Sequence, residues 1–454
     1  MTSRRQFVNT TAALALGASL ARRLPPFRVP RPVPSPSQLA WQRDELALFL
    51  HFGVNTFTDR EWGDGTEDPL IFAPTAIDTR QWARAAKNAG FRTMVLTAKH
   101  HDGFCLWPSA TTRHSVAASP WRSGGGDVVR EFVDACRGEG LKVGLYCSPW
   151  DRNAPAYGDS PRYNAMYWAQ LTELLTNYGS IHEVWFDGAN GEGPNGRKQV
   201  YDWPATFALV RRLQPEAVIF SDAGPDIRWI GNERGSAGDP NWSTIDPAAV
   251  AYPGVDAPGI TEALQHGHAD GTVWRPGETD VSIRPGWFYH PAEDQQVKGV
   301  EELLELYFNS VGRNSKLLLN VPPTRDGLLH TTDVTQLAEM HRRRSMLFAE
   351  DFTDGRHPHW HLTGERGGEL AVDLGRMVQV QIIDLRERIE EGQRVARYVV
   401  EGHDDTRWQT LSRGATIGCR KLDRCPPVRV RRVRVRIEEA LDTPLPISLG
   451  LYAG

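Results

Sequence analysis

The sequence predicts an α/β fold, a (β/α)8-like TIM barrel followed by a C-terminal all-β sandwich. Between residue 39 and about residue 320, short apolar runs alternate with segments in which apolar residues recur at helical spacing. After about residue 350, apolar and polar residues alternate one by one, as in Val378-Gln379-Val380-Gln381-Ile382, which is typical of strands with one buried face. We therefore expect the barrel over residues 39–349 and the sandwich over residues 350–454.

The elements of the barrel can be assigned from these patterns. Six apolar runs are candidate strands, at residues 47–52, 91–98, 141–148, 181–186, 217–221 and 316–321. The segments with helical spacing are candidate helices, at residues 77–88, 127–138, 163–178, 200–213, 293–311 and 332–348. Residues 222–296 lack periodicity and are dense in Gly, Pro and Trp, which predicts a loop-rich insertion that covers the active site.

The N-terminus has the features of an export signal. Ser3-Arg4-Arg5-Gln6-Phe7 resembles a twin-arginine motif, and the apolar run at residues 12–20 is too short to span a bilayer. Residues 22–37 are rich in Pro and Arg. We expect residues 1–38 to form a signal peptide and a linker, and the mature protein to be periplasmic or secreted. No other segment is apolar enough for a membrane span.

Composition excludes some partners and leaves others open. The chain has 52 Lys and Arg against 56 Asp and Glu, so no excess positive charge attracts nucleic acid. The five cysteines are an odd number and cannot form a complete disulfide set. Cys105, Cys136 and Cys147 lie in contexts typical of buried thiols, whereas Cys419 and Cys425 are close enough in sequence to pair across a short turn. Nothing in the sequence fixes the oligomeric state.

Polar side chains follow three of the candidate strands where each strand ends. Asp187 and Gly188 come directly after the run Ile181 to Phe186. Upstream, one strand leads into Lys99-His100-His101-Asp102-Gly103-Phe104 and another into His51-Phe52-Gly53. Catalytic groups of a barrel lie at the C-terminal ends of its strands. Asp187 is therefore the first candidate for a catalytic residue, although a strand-end aspartate also serves as a helix N-cap.

A second carboxylate is expected from the insertion after Ser221, because that segment follows the next strand around the barrel. Its acidic residues are Asp222, Asp226, Glu233, Asp239, Glu262, Glu278 and Asp280. The aromatic surroundings of Glu233 would desolvate it and suit it for acid catalysis, but Glu278 stays an alternative. Two carboxylates with His and Trp around them favour glycoside cleavage, and the sequence has no Gly-x-Ser-x-Gly motif.

A sugar ring needs hydrogen-bonding groups for its hydroxyls and aromatic faces for its C–H groups. Eight residues are candidates for substrate binding on these grounds: His51, Glu61, Trp62, His100, His101, Tyr146, Trp185 and Trp287. Each aromatic could instead serve only for packing, and His51 could be a core histidine.

A metal site is an alternative reading of His100, His101 and Asp102. Adjacent residues on a strand point in opposite directions and do not easily bind one ion. No His-x-Glu or Cys-x-x-Cys motif completes a ligand set. The sequence therefore predicts no metal and no cofactor, and a metal-dependent hydrolase stays a rival hypothesis.

Over residues 39–454 the chain resembles the retaining α-L-fucosidases of glycoside hydrolase family 29. The matching segments, in order, are Leu48-Phe49-Leu50-His51-Phe52-Gly53, Glu61-Trp62-Gly63-Asp64-Gly65, Ala98-Lys99-His100-His101-Asp102-Gly103-Phe104, Gly144-Leu145-Tyr146, Val184-Trp185-Phe186-Asp187-Gly188 and Leu317-Leu318-Leu319-Asn320-Val321-Pro322-Pro323.

The resemblance implies Asp187 as nucleophile and the eight candidate binding residues as the lining of a fucose pocket. Residues 221–233 and 282–289 are similar to the branch of the family that prefers α-1,3 and α-1,4 fucosyl linkages, in which Glu233 matches the acid/base. The implied mechanism is double displacement on a fucosylated glycan, with carboxyl groups about 5 to 5.5 Å apart. The C-terminal domain is expected to brace the barrel. A fucose-binding protein without turnover is the second rival hypothesis.

Overall fold

The computed structural model describes residues 30–454. The predicted twin-arginine-like signal falls in residues 1–29 and lies outside the described residues. It stays a prediction, as do the domain limits at residues 39 and 350. Within the described range, no helix combines the length and the apolar character that crossing a bilayer requires.

Eight parallel strands form a closed barrel. They are β1 (Leu46–Leu50), β2 (Thr93–Lys99), β3 (Lys142–Cys147), β4 (Glu183–Trp185), β5 (Val218–Ser221), β6 (Ile227–Trp229), β7 (Gly277–Ser282) and β8 (Ser315–Asn320). Each strand pairs with its neighbours in chain order, and the sheet closes where β1 pairs with both β2 and β8. The predicted TIM-like barrel is confirmed.

Helices cover the outside of the barrel and connect most of its strands. The α-helices within residues 30–454 are α1 (Pro36–Arg43), α2 (Val54–Thr58), α3 (Thr79–Asn88), α4 (Val128–Gly138), α5 (Ser160–Asn177), α6 (Trp203–Leu213), α7 (Ile260–His266), α8 (Val300–Asn309) and α9 (Thr331–Leu347). Asp78, Asp127 and Asp202 begin three of them, because each carboxylate accepts a backbone N–H of the first turn. Strands β5 and β6 are joined by residues 222–226 alone, without a helix.

The segment predicted as a loop-rich insertion contains two strands of the barrel, β6 and β7. Strand β6 has only three residues, too few to show a period. Strand β7 is fully buried, yet its alternate residues Glu278, Asp280 and Ser282 are polar. Apolar periodicity cannot reveal a strand whose inward-facing side chains are carboxyl and hydroxyl groups. The predicted helix at residues 293–311 is likewise shorter, since α8 begins at Val300.

Buried polar side chains fill the N-terminal end of the barrel. The Trp41 indole of α1 donates to Glu183 (Nε1 to Oε2, 3.1 Å), and Lys316 Nζ lies 3.8 Å from the same oxygen. The Trp185 indole donates to Glu278 (Nε1 to Oε1, 3.0 Å). Burial and the charge of Glu183 hold the pKa of Glu278 well above its ordinary value, which favours its neutral form.

The C-terminal domain is antiparallel. Its strands are β9 (His359–Leu362), β10 (Gly368–Arg386), β11 (Val395–His403), β12 (Trp408–Gly414), β13 (Lys421–Ala440) and β14 (Ser448–Tyr452). The register between the long strands β10 and β13 shifts between Asp373 and Val378. Side chains from both sides of this shift, such as Leu370 and Ile383, share one hydrophobic core. The predicted all-β C-terminal domain is confirmed.

Arg420 joins the two domains. Its guanidinium contacts Glu45, the residue before β1 (Nη1 to Oε2, 2.8 Å), and Asp384 of β10 (Nη2 to Oδ2, 2.8 Å). Its side chain is only 9% exposed. Water solvates these charges poorly, so each of them is stabilised mainly by its ion-pair partners. Cys419, next to Arg420, and Cys425 are free thiols.

Replacing Arg420 by Met should destabilise the protein by about 3 kcal/mol, because Glu45 and Asp384 would lose their buried counterion and keep Arg386, whose side chain is 39% exposed. The matched control is Arg424→Met. Arg424 pairs with Glu305 at the surface, where both side chains are about half exposed, and its loss should cost less than about 1 kcal/mol. Guanidinium chloride unfolding midpoints would measure both. Equal losses in the two variants would contradict the proposed role of Arg420.

Candidate active site

One cavity at the C-terminal end of the barrel collects all ten sequence-predicted site residues. Its volume is about 420 Å³. The predicted residues that line it are His51, Glu61, Trp62, His100, His101, Tyr146, Trp185, Asp187, Glu233 and Trp287. Phe49, Ala189 and Asp280 complete the lining. Phe49 follows from the strand period, because it lies two residues before His51 and shares its face.

Asp187 lies two residues beyond the end of β4. The Ala189 N–H donates to its Oδ1 (2.6 Å), and the Tyr146 hydroxyl donates to its Oδ2 (3.4 Å). The side chain is 28% exposed, so Oδ2 is open to the cavity. Asp187 is not a helix N-cap, because the next α-helix begins at Trp203 and is capped by Asp202.

Glu233 enters the cavity from the loop that follows β6. The Trp287 indole donates to its carboxylate (Nε1 to Oε2, 3.3 Å). Burial, together with the negative charges of Asp187 and Glu61, raises the pKa of Glu233. The sequence alternative, Glu278, is fully buried at the N-terminal end of the barrel and does not line the cavity. Of these two candidates from the sequence, Glu233 is the one that lines the cavity.

Asp280 is a third carboxyl group in the cavity. It lies on β7, and the Trp229 indole donates to its Oδ1 (2.7 Å). Burial and the negative charge of Glu233 raise the pKa of Asp280 to about 8, so Asp280 is protonated at neutral pH. The sequence contains this residue among seven acids without distinguishing it, because the strand that aims it inward was not predicted.

Three histidines form one wall, and burial keeps them neutral. Burial lowers the pKa of His51 to about 3, and it also lowers the pKa values of His100 and His101. His51 Nδ1 lies 2.8 Å from Asn320 Oδ1, and His101 Nδ1 lies 2.8 Å from Ser148 Oγ.

The tautomers of two of these rings follow from their partners. The Asn320 amide nitrogen already donates to Ser282 and Trp287, so Asn320 Oδ1 accepts from His51 Nδ1–H. The Ser148 hydroxyl donates to the Trp150 carbonyl (2.8 Å), so it accepts from His101 Nδ1–H. Each Nε2 therefore keeps its lone pair, and His101 Nε2 lies 3.8 Å from Asp187 Oδ2.

Glu61 connects its own loop at the rim of the cavity to residues 287–290 by hydrogen bonds. Its carboxylate accepts the backbone N–H groups of Trp287 (2.8 Å) and Phe288 (3.1 Å), and His290 Nε2 lies 2.6 Å from its Oε1. The ring of Trp287 consequently stays beside His51, with 5.2 Å between centroids. Trp62 is 59% exposed at the rim, so its indole face is available to a ligand.

His100, His101 and Asp102 do not converge on one point. Asp102 accepts the Phe104 N–H (2.7 Å) and does not line the cavity. Burial raises the pKa of Asp102 to about 7. In residues 30–454 no group of three or more His, Cys, Asp or Glu side chains has the geometry to hold a metal ion.

Comparisons with known proteins agree with this geometry. Residues 55–342 match the family model described as Alpha-L-fucosidase. Alpha-L-fucosidase 1 of Arabidopsis thaliana is 42% identical, over 93% of this chain and 87% of its own length.

Solved structures give the same result. A glycoside hydrolase 29 family member from an unknown rumen bacterium is 42% identical with a TM-score of 0.86, over 93% of this chain and 77% of that one. A Ruminococcus gnavus GH29 fucosidase in complex with fucose is 31% identical with a TM-score of 0.83, over 94% of this chain and 96% of that one. The chain belongs to the α-L-fucosidases of glycoside hydrolase family 29.

Proposed function

We propose that the protein removes terminal α-L-fucosyl groups from α-1,3 and α-1,4 branches of oligosaccharides or glycoconjugates, by a retaining double displacement. Asp187 is the nucleophile and Glu233 is the general acid and base. The observation that carries the proposal is that these two carboxyl groups, from β4 and from the loop after β6, line one cavity. Their environments differ in the way that the two roles require.

In the first step Asp187 Oδ2 attacks the anomeric carbon of the bound fucosyl group. The bond from that carbon to the glycosidic oxygen breaks, and Glu233 gives its proton to the leaving oxygen. The raised pKa of Glu233 supports this assignment, since burial and two nearby negative charges favour the protonated carboxyl group. The product is a fucosyl ester of Asp187.

In the second step water attacks the same carbon while the Glu233 carboxylate takes its proton. The ester bond breaks and α-L-fucose leaves with its configuration retained. The departing Asp187 carboxylate regains the hydrogen bonds from Ala189 N–H and Tyr146 OH. These two donors stabilise the ionised nucleophile at the start and at the end of the cycle.

Recognition of a single terminal sugar is supported by the lining of the cavity. His51 Nε2 has a free lone pair that can accept from a sugar hydroxyl, and His100 lines the same cavity. Phe49 and Trp185 close the cavity below, and the exposed face of Trp62 suits sugar C–H groups.

The linkage preference is supported by the similarity of residues 221–233 and 282–289 to one branch of the family. A side extension of the cavity also favours a branched leaving group. Its volume is about 230 Å³, and Asp222 and Trp229 line it together with both catalytic candidates. The aglycone of a branched glycan needs such space beside the scissile bond.

Export is supported by the twin-arginine-like motif at Arg4 and Arg5. Replacing both residues by Lys should leave the full-length precursor in the cytoplasm, because the paired guanidinium groups are the recognised feature. Cell fractionation of a bacterial host with a twin-arginine system would measure this. Undiminished export of the double variant would contradict the proposal.

Azide should distinguish the two catalytic roles. Asp187→Gly should lower kcat on an aryl α-L-fucoside by about 10,000-fold, and azide entering the vacated face should yield the β-fucosyl azide. Glu233→Ala still forms the ester with an aryl leaving group, so azide should attack it and yield the α-fucosyl azide. NMR of the products reads both configurations.

The products and rates in this assay can also contradict the proposed mechanism. The wild-type enzyme should release α-fucose first, and faster from α-1,3 and α-1,4 branched oligosaccharides than from α-1,2-linked ones. Initial release of β-fucose would exclude double displacement. Fucose affinity without release from any of these substrates would favour the binding-protein hypothesis, and inactivation by a chelator would favour the metal hydrolase.

The fall of kcat/KM at high pH should reflect deprotonation of Glu233. The acid must be protonated in the first step, and its pKa is raised, so kcat/KM should hold above pH 4.5 and fall as pH rises through the raised value. Glu233→Gln should abolish that fall and lower kcat/KM on a natural glycan by about 100- to 10,000-fold. An unchanged fall in this variant would assign it to another group.

A further inference from the structure

A second cavity lies beside the active site and is larger than it. Its volume is about 780 Å³, against about 420 Å³ for the active-site cavity. We call it the side cavity; its walls are Tyr201, Trp203, Phe207, Pro225, Tyr252 and Arg275. Trp203 stacks on Phe207 with 5.6 Å between ring centroids. Tyr252 is 55% exposed, so the side cavity opens to solvent.

Only one layer of chain separates the side cavity from the active site. Ala189 lines the active site and the next residue, Asn190, lines the side cavity. Asp222 lines the extension beside Asp187, while its neighbour Ala223 lines the side cavity. The Gly254 N–H donates to Asp222 Oδ2 (2.7 Å) and seals this layer. The two cavities therefore share a wall, and an oligosaccharide that occupies both has to pass over the rim of this wall.

Several polar groups of the side cavity are satisfied by the protein. Asn190 donates to the Gln199 carbonyl (3.0 Å), and Gln199 Nε2 donates to the Ser160 carbonyl (3.2 Å). Arg275 donates from Nε to the Pro225 carbonyl (3.1 Å). Among residues 30–454 its guanidinium forms no ion pair. Its terminal nitrogens therefore offer unused donors and a positive charge within aromatic walls.

We propose that the side cavity binds a carboxylate-bearing sugar in the aglycone of the substrate, with the carboxylate on Arg275 and the ring against Trp203, Phe207 and Tyr252. A guanidinium is matched to a carboxylate by two parallel N–H donors, and indole and phenol faces suit sugar C–H groups. A purely apolar ligand would leave the terminal nitrogens of Arg275 without an acceptor. This inference rests on the proposed function, since it concerns the same substrate beyond the fucosyl group.

The test uses two fucosylated oligosaccharides that differ only in carrying glucuronate or glucose next to the branch. The wild-type enzyme should have a kcat/KM about 10-fold or more higher for the glucuronate compound, as expected for one charge-assisted pair. Arg275→Met should remove that advantage. The control Lys198→Met removes the same charge from the nearby exposed surface and should keep it.

Two further measurements distinguish failure of the side-cavity proposal from misfolding of the variants and from failure of the proposed function. Hydrolysis of an aryl fucoside should be unchanged in Arg275→Met, which shows an intact active site. Tyr252→Ala, at an exposed position, should weaken saturation-transfer NMR signals of free glucuronate relative to glucose. Equal rates for both oligosaccharides on the wild-type enzyme, with aryl fucoside still hydrolysed, would overturn the side-cavity proposal alone. If the wild-type protein does not hydrolyse the aryl fucoside, the proposed function is overturned instead.

Discussion

Closure of the barrel between β1 and β8 is the constraint on which the rest of the structure depends. That pairing brings Asn320, the last residue of β8, to the ring of His51 beyond β1. Asn320 then fixes the tautomer of His51 and also holds the Trp287 carbonyl (2.8 Å). One buried amide thus sets the donor pattern of one wall and the position of the aromatic opposite it.

Burial, more than ion pairing, sets the protonation states of the titratable side chains in the active site. Among residues 30–454 no Lys or Arg lines the cavity, and burial favours the neutral form of the three imidazoles. Burial raises the pKa values of Glu233 and Asp280, whereas Asp187 and Glu61 contribute negative charge to the cavity. Negative charge in the cavity stabilises the positive charge that develops on the sugar ring during glycosidic cleavage.

The sequence predicts those parts of the site that follow an apolar strand. His51, His100 and Asp187 each come after a run that periodicity reveals, so their convergence was foreseeable from barrel geometry. The sequence favours Glu233 by its aromatic neighbours and leaves Glu278 as the alternative. It does not single out Asp280, because β7 is lined by carboxyl groups and has no apolar alternation. Only coordinates distinguish Asp280 in the cavity from Glu278 two residues earlier and below it. The arrangement of the long bent strands β10 and β13 also depends on contacts that no local pattern encodes.

The link between Glu45 and Arg420 spans 375 positions of the chain. During synthesis from the N-terminus, the first barrel strand emerges long before its counterion exists. Until the C-terminal domain is translated, the Glu45 carboxylate, just before β1, therefore stays hydrated. Final consolidation of this enzyme is consequently a late, post-ribosomal event, in which docking of the second domain locks the first.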